Sequence, residues 1–473
     1  MSSDSSKKVV RAGAGYVIGN YLLKGITFLS APLFSRLLST DEYGNFSTYL
    51  SYESIIYIFV GLALHSSINS AKYRYGEKIH EYISSIITLV SLGLIAWFSL
   101  GNIFFFGYKD ILGFDRTVVN ILIVHCFASS MLQIYNVYIG LQYGYRSFIR
   151  ISSINAISNI VLSALLILTV FSDNRCMGRI LGTVIPITAI GIYIVAFFFK
   201  KAKPSVNGEY WKFGLEYSLP IVPHGVSQVI LGSFDRIMIK SMVGASEAGI
   251  YSFASTIYLL FKVAVTSLEN VWKPWLYEKM DAKDYASIRR QGSKFAFGMA
   301  LFTSLILMVA PEIIKILGAR AYWESADCVV PVLLGGYFAF LYTLPSMIEY
   351  FYGKTKFIAI GTMSAAALNV LLNYIFIRQY GYIAAAYTTL VTYILYFIFH
   401  YILARKVHGS AIYSTRQLTL ISVGILLVGA VALVLEDFWY VRWGLEVILG
   451  CYSLYWADKC FDIVSRIKEK LNK

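Results

Sequence analysis

Long apolar runs separated by short polar stretches fill almost the whole chain. Blocks of about 20 residues, poor in charge, recur at 13–37, 45–69, 82–106, 116–141, 151–172, 178–200, 215–243, 248–275, 291–318, 328–350, 357–378, 381–404, 416–436 and 440–457. A run of roughly 20 apolar residues, wound as a helix, crosses a hydrocarbon layer of roughly 30 Å. In lipid every backbone N–H and C=O must be bonded within its own segment, so such runs must be helices. The alternation of apolar and polar residues that marks a barrel strand is missing. The pattern predicts an all-α polytopic membrane protein with about 14 transmembrane helices. No hydrophilic stretch between these runs exceeds roughly 15 residues, which leaves little room for an extramembrane catalytic domain.

Composition agrees. Of 473 residues, 57% are hydrophobic, against roughly 45–50% in soluble domains. Only 14% are charged, and the mean hydropathy is +0.62. The formal net charge of +14 could suggest nucleic acid, but the distribution of the cations argues against it. About 27 Lys and Arg fall on one side of the predicted spans and about 9 on the other. The richer side holds Lys200, Lys201 and Lys203, then Arg289, Arg290 and Lys294. The positive-inside rule then places both termini in the cytoplasm. The basic balance reads as topology, with no nucleic-acid partner. The first apolar run follows cations, as in a signal peptide. It contains Lys24 and Pro32 and lacks a small-residue cleavage site, so it reads as an uncleaved first helix.

The chain repeats itself. EYGNFS at Glu42–Ser47 returns as EAGIYS at Glu247–Ser252, about 205 positions later. YGYRSFI at Tyr143–Ile149 returns as YGKTKFI at Tyr352–Ile358, at nearly the same offset. An even number of spans separates the copies, so both have one orientation in the membrane. That is a parallel repeat of two six-helix lobes about a central cavity, with two further helices beyond it. The expected domains are 1–212, 213–405 and 406–473. The turn itself reads as structural: Gly lets the chain bend, and Glu near a helix start suits the helix dipole.

Charges inside spans cost roughly 2.5–3.5 kcal/mol each on insertion scales, so each needs a reason. The deep ones concentrate in the first two spans of each lobe: Lys24, Glu53, then Asp235 and Arg236, then Lys262 and Glu269. Asn20, Lys24 and Thr27 fall at i, i+4, i+7, one polar stripe on an apolar helix. Lys262, Thr266 and Glu269 do the same, and Arg236 and Lys240 stack one turn apart. Such stripes suit a wet cavity, although snorkelling or helix-packing ion pairs would also place charges there. Lys24, Arg236, Lys262 and Asn20 are the candidate substrate-binding residues, because cations near phosphate give charge-assisted bonds. Glu53, Glu269 and Asp235 are the ion-coupling candidates. Asp235, beside Arg236, reads first as its structural partner.

No nucleotide-binding G-x-x-x-x-G-K-[ST], HExxH, GxSxG or His/Cys metal cluster occurs. No cofactor or metal is expected, and the chain reads as a non-enzyme. The five cysteines form no CxxC pair, and His65, His125, His224 and His400 are scattered; these read as packing residues.

Three segments carry a family likeness. GNYLLKGITFLSAPLFSRLLSTDEYGNFSTYLS (Gly19–Ser51) resembles the opening of Wzx-type O-antigen flippases, polysaccharide transporters of the multidrug/oligosaccharidyl-lipid/polysaccharide exporter superfamily. FDRIMIKSMVGASEAGIYSFAS (Phe234–Ser255) and VWKPWLYEKM (Val271–Met280) resemble the same family. The resemblance spans essentially the whole chain. It implies two six-helix bundles with a cavity lined by spans 1, 2, 7 and 8. It also implies a substrate, an undecaprenyl-pyrophosphate-linked oligosaccharide moved to the outer leaflet of a bacterial inner membrane by alternating access. An ion gradient would drive the movement. Polysaccharide polymerase and chain-length proteins are the implied pathway partners, alongside the bilayer itself. Export of a capsular or exopolysaccharide unit, and drug or cation antiport, are the competing expectations. A polymerase or ligase would need a larger outer loop than the pattern allows.

Overall fold

The computed structural model describes the backbone of residues 3–461; the side chains of residues 3–14, 17, 20, 260 and 461 fall outside that description. The chain divides into two compact units, Met1–Gly249 and Ile250–Lys473. In the first are α1 (Ser3–Leu37), α2 (Thr40–Val60), α3 (Ile68–Tyr75), α4 (Ile79–Ile103), α5 (Phe105–Leu112), α6 (Arg116–Leu141), α7 (Tyr145–Leu168), α8 (Arg175–Lys201), α9 (Gly208–Ser218) and α10 (Val222–Met242). Helix α11 (Ala245–Asp281) contributes its first turn to this unit and the rest to the second. The second unit continues with α12 (Tyr285–Leu317), α13 (Ala326–Leu341), α14 (Thr343–Phe351), α15 (Thr355–Tyr380), α16 (Ile383–His408), α17 (Thr415–Val434) and α18 (Trp439–Phe461). Among the described residues there is no strand. The protein is all-α, and its many apolar helices make it a multi-pass membrane protein.

Among the described residues, ten helical stretches are long and apolar enough to cross a membrane. Helices α1, α2, α10 and α18, with 35, 21, 21 and 23 residues, have the length and fall outside these ten. Three of these four carry Lys24, Glu53, Asp235 and Arg236.

Local chemistry shifts several expected boundaries. Helix α2 starts at Thr40, ahead of its apolar run, because Ser39 and Glu42 form a reciprocal capping box. It stops at Val60, where Leu62 and Ala63 adopt positive φ and short turns lead into α3. The run at 328–350 is broken at Tyr342 into α13 and α14. The run at 215–243 is broken at Leu219–Ile221, next to Pro220 and Pro223.

In the first unit α8 packs on α6 and α7, α7 on α1, and α2 on both α6 and α10. Its core holds Tyr82, Ile83, Ile86, Met131, Ile134 and Phe198. In the second unit α16 lies against α13, α14 and α15, and α12 against α13, α17 and α18. A ladder of polar bonds joins α15 to α16. Thr362 and Tyr396 hydroxyls meet at 2.7 Å, Asn369 Nδ2 donates to Thr389 Oγ1 at 3.1 Å, and Thr388 donates to Asn373. In an apolar medium such side-chain bonds hold helices together where burial of apolar surface cannot.

The repeated turns sit at the heads of α2 and α11. The expected bend at their glycines is absent. Gly44 and Gly249 are both helical and buried. A methyl group on Gly44 would run into the Ala245 carbonyl, and one on Gly249 into the Thr40 carbonyl. The hydroxyls of Thr40 and Ser246 meet beside them at 2.7 Å. Each copy of the string therefore supplies the glycine that admits the backbone of the other.

Candidate functional site

Within the first unit, Lys24 is half-buried on α1. Asn20 lies outside the residues whose side chains are described. Glu53 faces α6: Ser129 Oγ donates to its Oε1 at 2.6 Å, and the Cys126 thiol approaches its backbone carbonyl at 3.8 Å. On α10, Asp235 is 5% exposed, and its Oδ1 accepts the Arg236 backbone N–H at 3.0 Å. The Arg236 guanidinium is half-buried and donates to the Gly232 carbonyl one turn back at 3.3 Å. One turn on, Lys240 Nζ stands 4.3 Å from the Phe114 ring centroid and has no hydrogen-bond acceptor among the described residues.

Within the second unit, Lys262 is exposed and Glu269 half-buried, two turns apart on α11. The Thr343 hydroxyl donates to the Phe340 carbonyl at 2.7 Å, and both it and Lys262 act electrostatically on the Glu269 carboxylate. Thr266, between them, is exposed and returns its hydroxyl to the Lys262 carbonyl at 2.8 Å. The i, i+4, i+7 spacing thus puts Lys262, Thr266 and Glu269 on one face of α11.

Three buried charge arrangements escaped the sequence reading. Arg179 on α8 donates through Nη1 to Asn159 Oδ1 and Ser163 Oγ, both at 2.6 Å, and to Thr183 Oγ1 at 3.3 Å. Its guanidinium lies 3.8 Å from the Phe34 ring centroid and 4.5 Å from that of Phe46. One cation therefore ties α1, α2, α7 and α8 through neutral acceptors and aromatic faces. The readable signal was two i, i+4 polar pairs, Asn159/Ser163 and Arg179/Thr183, on consecutive spans.

In the second unit His400 Nδ1 and Glu349 Oε1 are 2.8 Å apart, both fully buried. His400 was expected to be a packing residue; it is instead bonded to Glu349. On α18, Arg442 is 1% exposed and bonds both Glu312 oxygens, at 2.5 and 2.9 Å, and the Met308 carbonyl at 2.6 Å. Among the described residues no cluster of His, Cys, Asp and Glu is arranged to hold a metal ion.

A family model described as polysaccharide biosynthesis protein matches residues 9–280. An Lsg locus protein of Haemophilus influenzae is 22% identical over 421 residues, covering 83% of this chain and 98% of its own. An uncharacterized membrane protein of Methanocaldococcus jannaschii is 24% identical over 415 residues, covering 81% and 94%. Among solved structures, the lipid II flippase MurJ in an inward closed conformation superposes with a TM-score of 0.71 at 16% identity, covering 95% of this chain and 99% of that one. An inward-facing multidrug resistance transporter of the MATE family, in the MOP superfamily, gives 0.64 at 15% identity, covering 82% and 96%. At such identities the likeness is one of fold.

Proposed function

This chain belongs to the polysaccharide biosynthesis protein family, and we propose that within it the chain is a flippase for a polyprenyl-pyrophosphate-linked oligosaccharide. The head group moves from the cytoplasmic to the outer leaflet of a bacterial inner membrane, by alternating access of the lobes 1–212 and 213–405. Both termini are cytoplasmic. The observation that carries this reading is the coincidence of two facts. The family is one of polysaccharide biosynthesis, and cations stand inside long helices of the first unit, Lys24 on α1 and Arg236 on α10.

The chemistry follows from the substrate. Pyrophosphate is a multivalent anion, and a cation in a low-dielectric setting binds it far more strongly than in water. Lys24 and Arg236 in the first unit, and Lys262 in the second, are assigned to that task, with Asn20 as a hydrogen-bonding neighbour. The polyprenyl tail stays in lipid. Glu53, Glu269 and Asp235 are assigned to ion coupling. A carboxylate bonded by one hydroxyl, as Glu53 is by Ser129, can be protonated without leaving a second buried charge unpaired.

Two outcomes of one experiment decide the reading. Deletion of the gene in its own host should abolish polymeric surface polysaccharide and leave lipid-linked single units on the cytoplasmic face. Unchanged polymer with raised sensitivity to cationic drugs would instead favour the antiporter reading, which the MATE-like fold makes the natural rival. In the complemented strain, Lys24→Ala and Arg236→Ala should insert normally and fail to restore polysaccharide. Normal polysaccharide from both variants at native expression would remove these cations from the mechanism.

A further inference from the structure

Away from the residues assigned above, the second unit holds a cavity of about 660 Å³ lined by α12, α17 and α18. Its polar lining is Arg289, Arg290, Ser293, Lys294 and Gln417, and no carboxylate is among its lining residues. Its other walls are apolar or aromatic, chiefly Phe297, Leu420 and Trp456. The arrangement follows depth along α12. Arg290, Lys294 and Phe297 fall at i, i+4 and i+7, so one helix face passes from cationic to aromatic as it runs from the helix start inward.

The walls are held in place. Arg289 donates to the carbonyls of Ile412 at 3.2 Å and Ala411 at 2.9 Å, fixing the segment before α17. Ser293 Oγ donates to Gln417 Oε1 at 2.6 Å. Gly298 seats the Trp456 ring, since a methyl group there would lie 2.9 Å from it, and the Phe297 and Trp456 rings are 5.5 Å apart. Arg290 and Lys294 make no ion pair among the described residues. Two cations thus face a cavity whose described lining holds no carboxylate, above an apolar and aromatic wall.

We propose that this cavity binds the phosphate headgroup of an acidic glycerophospholipid of the cytoplasmic leaflet, with Arg290 and Lys294 on the phosphate and an acyl chain along Phe297, Leu420 and Trp456. Basic pockets between membrane helices on the cytoplasmic side suit such headgroups. The combination of charge above and aromatic wall below selects a lipid over a free anion, because a free anion leaves the apolar wall in contact with water. The proposal uses the topology assigned above and is independent of what the protein transports.

The test is native mass spectrometry of the purified full chain, titrated with phosphatidylglycerol, with phosphatidylethanolamine of the same acyl composition, with undecaprenyl phosphate and with inorganic pyrophosphate. The wild type should retain phosphatidylglycerol over phosphatidylethanolamine, and Arg290→Gln/Lys294→Gln should weaken that retention roughly tenfold or more, at about 1 kcal/mol for each cation. Lys354→Gln/Lys356→Gln, which removes two cations outside the cavity, should leave it unchanged. Equal loss in both double variants would mean general surface charge and would overturn the site. Retention of pyrophosphate alone, or preference for undecaprenyl phosphate over phosphatidylglycerol, would each overturn the assigned occupant. Because binding is read without turnover, failure here leaves the flippase reading standing, and failure of that reading leaves this site standing.

Discussion

Helices α2 and α11 open on nearly the same six residues and then part company. Both heads use a glycine to admit the other's backbone. Beyond the head, α2 ends after 21 residues while α11 continues to 37 through Pro274. Each carries one inner carboxylate, Glu53 bonded by the Ser129 hydroxyl of a neighbouring helix and Glu269 half-buried on the same face as Lys262. In α11 the cation Lys262 sits on the same helix as its carboxylate. In the first unit the cations lie on other helices, Lys24 on α1, Arg179 on α8 and Arg236 on α10. The repeat has kept the residues that backbone packing demands and let the charges drift. Packing against a backbone atom tolerates no substitute for glycine, whereas a charge can be supplied from any helix that faces the same space.

The largest expected effect comes from the shared part. Gly44→Val and Gly249→Val each drive a branched side chain into backbone and should each cost about 3 kcal/mol, at the top of the range for overpacking. Thermal unfolding of the purified variants reads this, and both should fall by similar amounts. Gly25→Ala, where nothing lies within 4 Å of the added methyl, serves as the control and should hold or raise the melting temperature. A tolerated valine at either repeat glycine would break the pairing of the two turns.

The charges should divide the copies. Arg179→Gln strips Asn159 and Ser163 of their donor and leaves those groups unsatisfied, for about 1–3 kcal/mol. A melt in detergent measures it, and a further Asn159→Leu substitution should recover part of the loss. Glu53→Gln and Glu269→Gln keep shape and remove charge. Under the proposed coupling role each should lower polysaccharide export about tenfold with little change in melting temperature. Wild-type export from Glu53→Gln would restrict coupling to the α11 carboxylate and sharpen the contrast further.

The smallest effect lies outside the spans. Asp284 caps α12 by accepting from the Ser287 backbone N–H at 3.1 Å, and Lys279 is 3.2 Å away. Its bonds from Ser287, reinforced by Lys279, hold its carboxyl below the usual carboxylate range. A depressed pKa means the stabilisation is full above the ordinary carboxylate pKa and fades as pH falls through the folded value. Wild type should therefore melt slightly above Asp284→Asn at neutral pH, and the two curves should converge in acid. A gap that widens in acid would contradict the cap.

Much of the fold could be read before any coordinates. The run at 116–141 became α6 at the same bounds, because an apolar stretch of that length between polar ends has one outcome in lipid. The breaks at Leu62, Tyr342 and Pro220 were harder to read. They arise where a neighbour or a turn residue outcompetes a continuous helix, and the apolar pattern runs straight through them. Of the site, the stripe through Lys262 and Glu269 was legible because both residues share one helix and a fixed period. Arg179 was not, since its acceptors lie on α7 and its aromatic faces on α1 and α2. His400 and Glu349 were missed for the same reason, being 51 positions apart.

The sequence by itself determined that this is a helical membrane protein built on a parallel repeat, with cations and carboxylates concentrated in particular spans. Hydropathy, helical period and self-similarity are local or linear properties, and the bilayer makes them decisive. Only the tertiary structure decided which buried charges have partners, why the repeated glycines are glycines, and where Arg290 and Lys294 meet an aromatic wall. Those answers depend on atoms from helices distant in sequence coming within 3 or 4 Å of one another, a range at which hydrogen bonding and steric exclusion act and which no periodicity along the chain encodes.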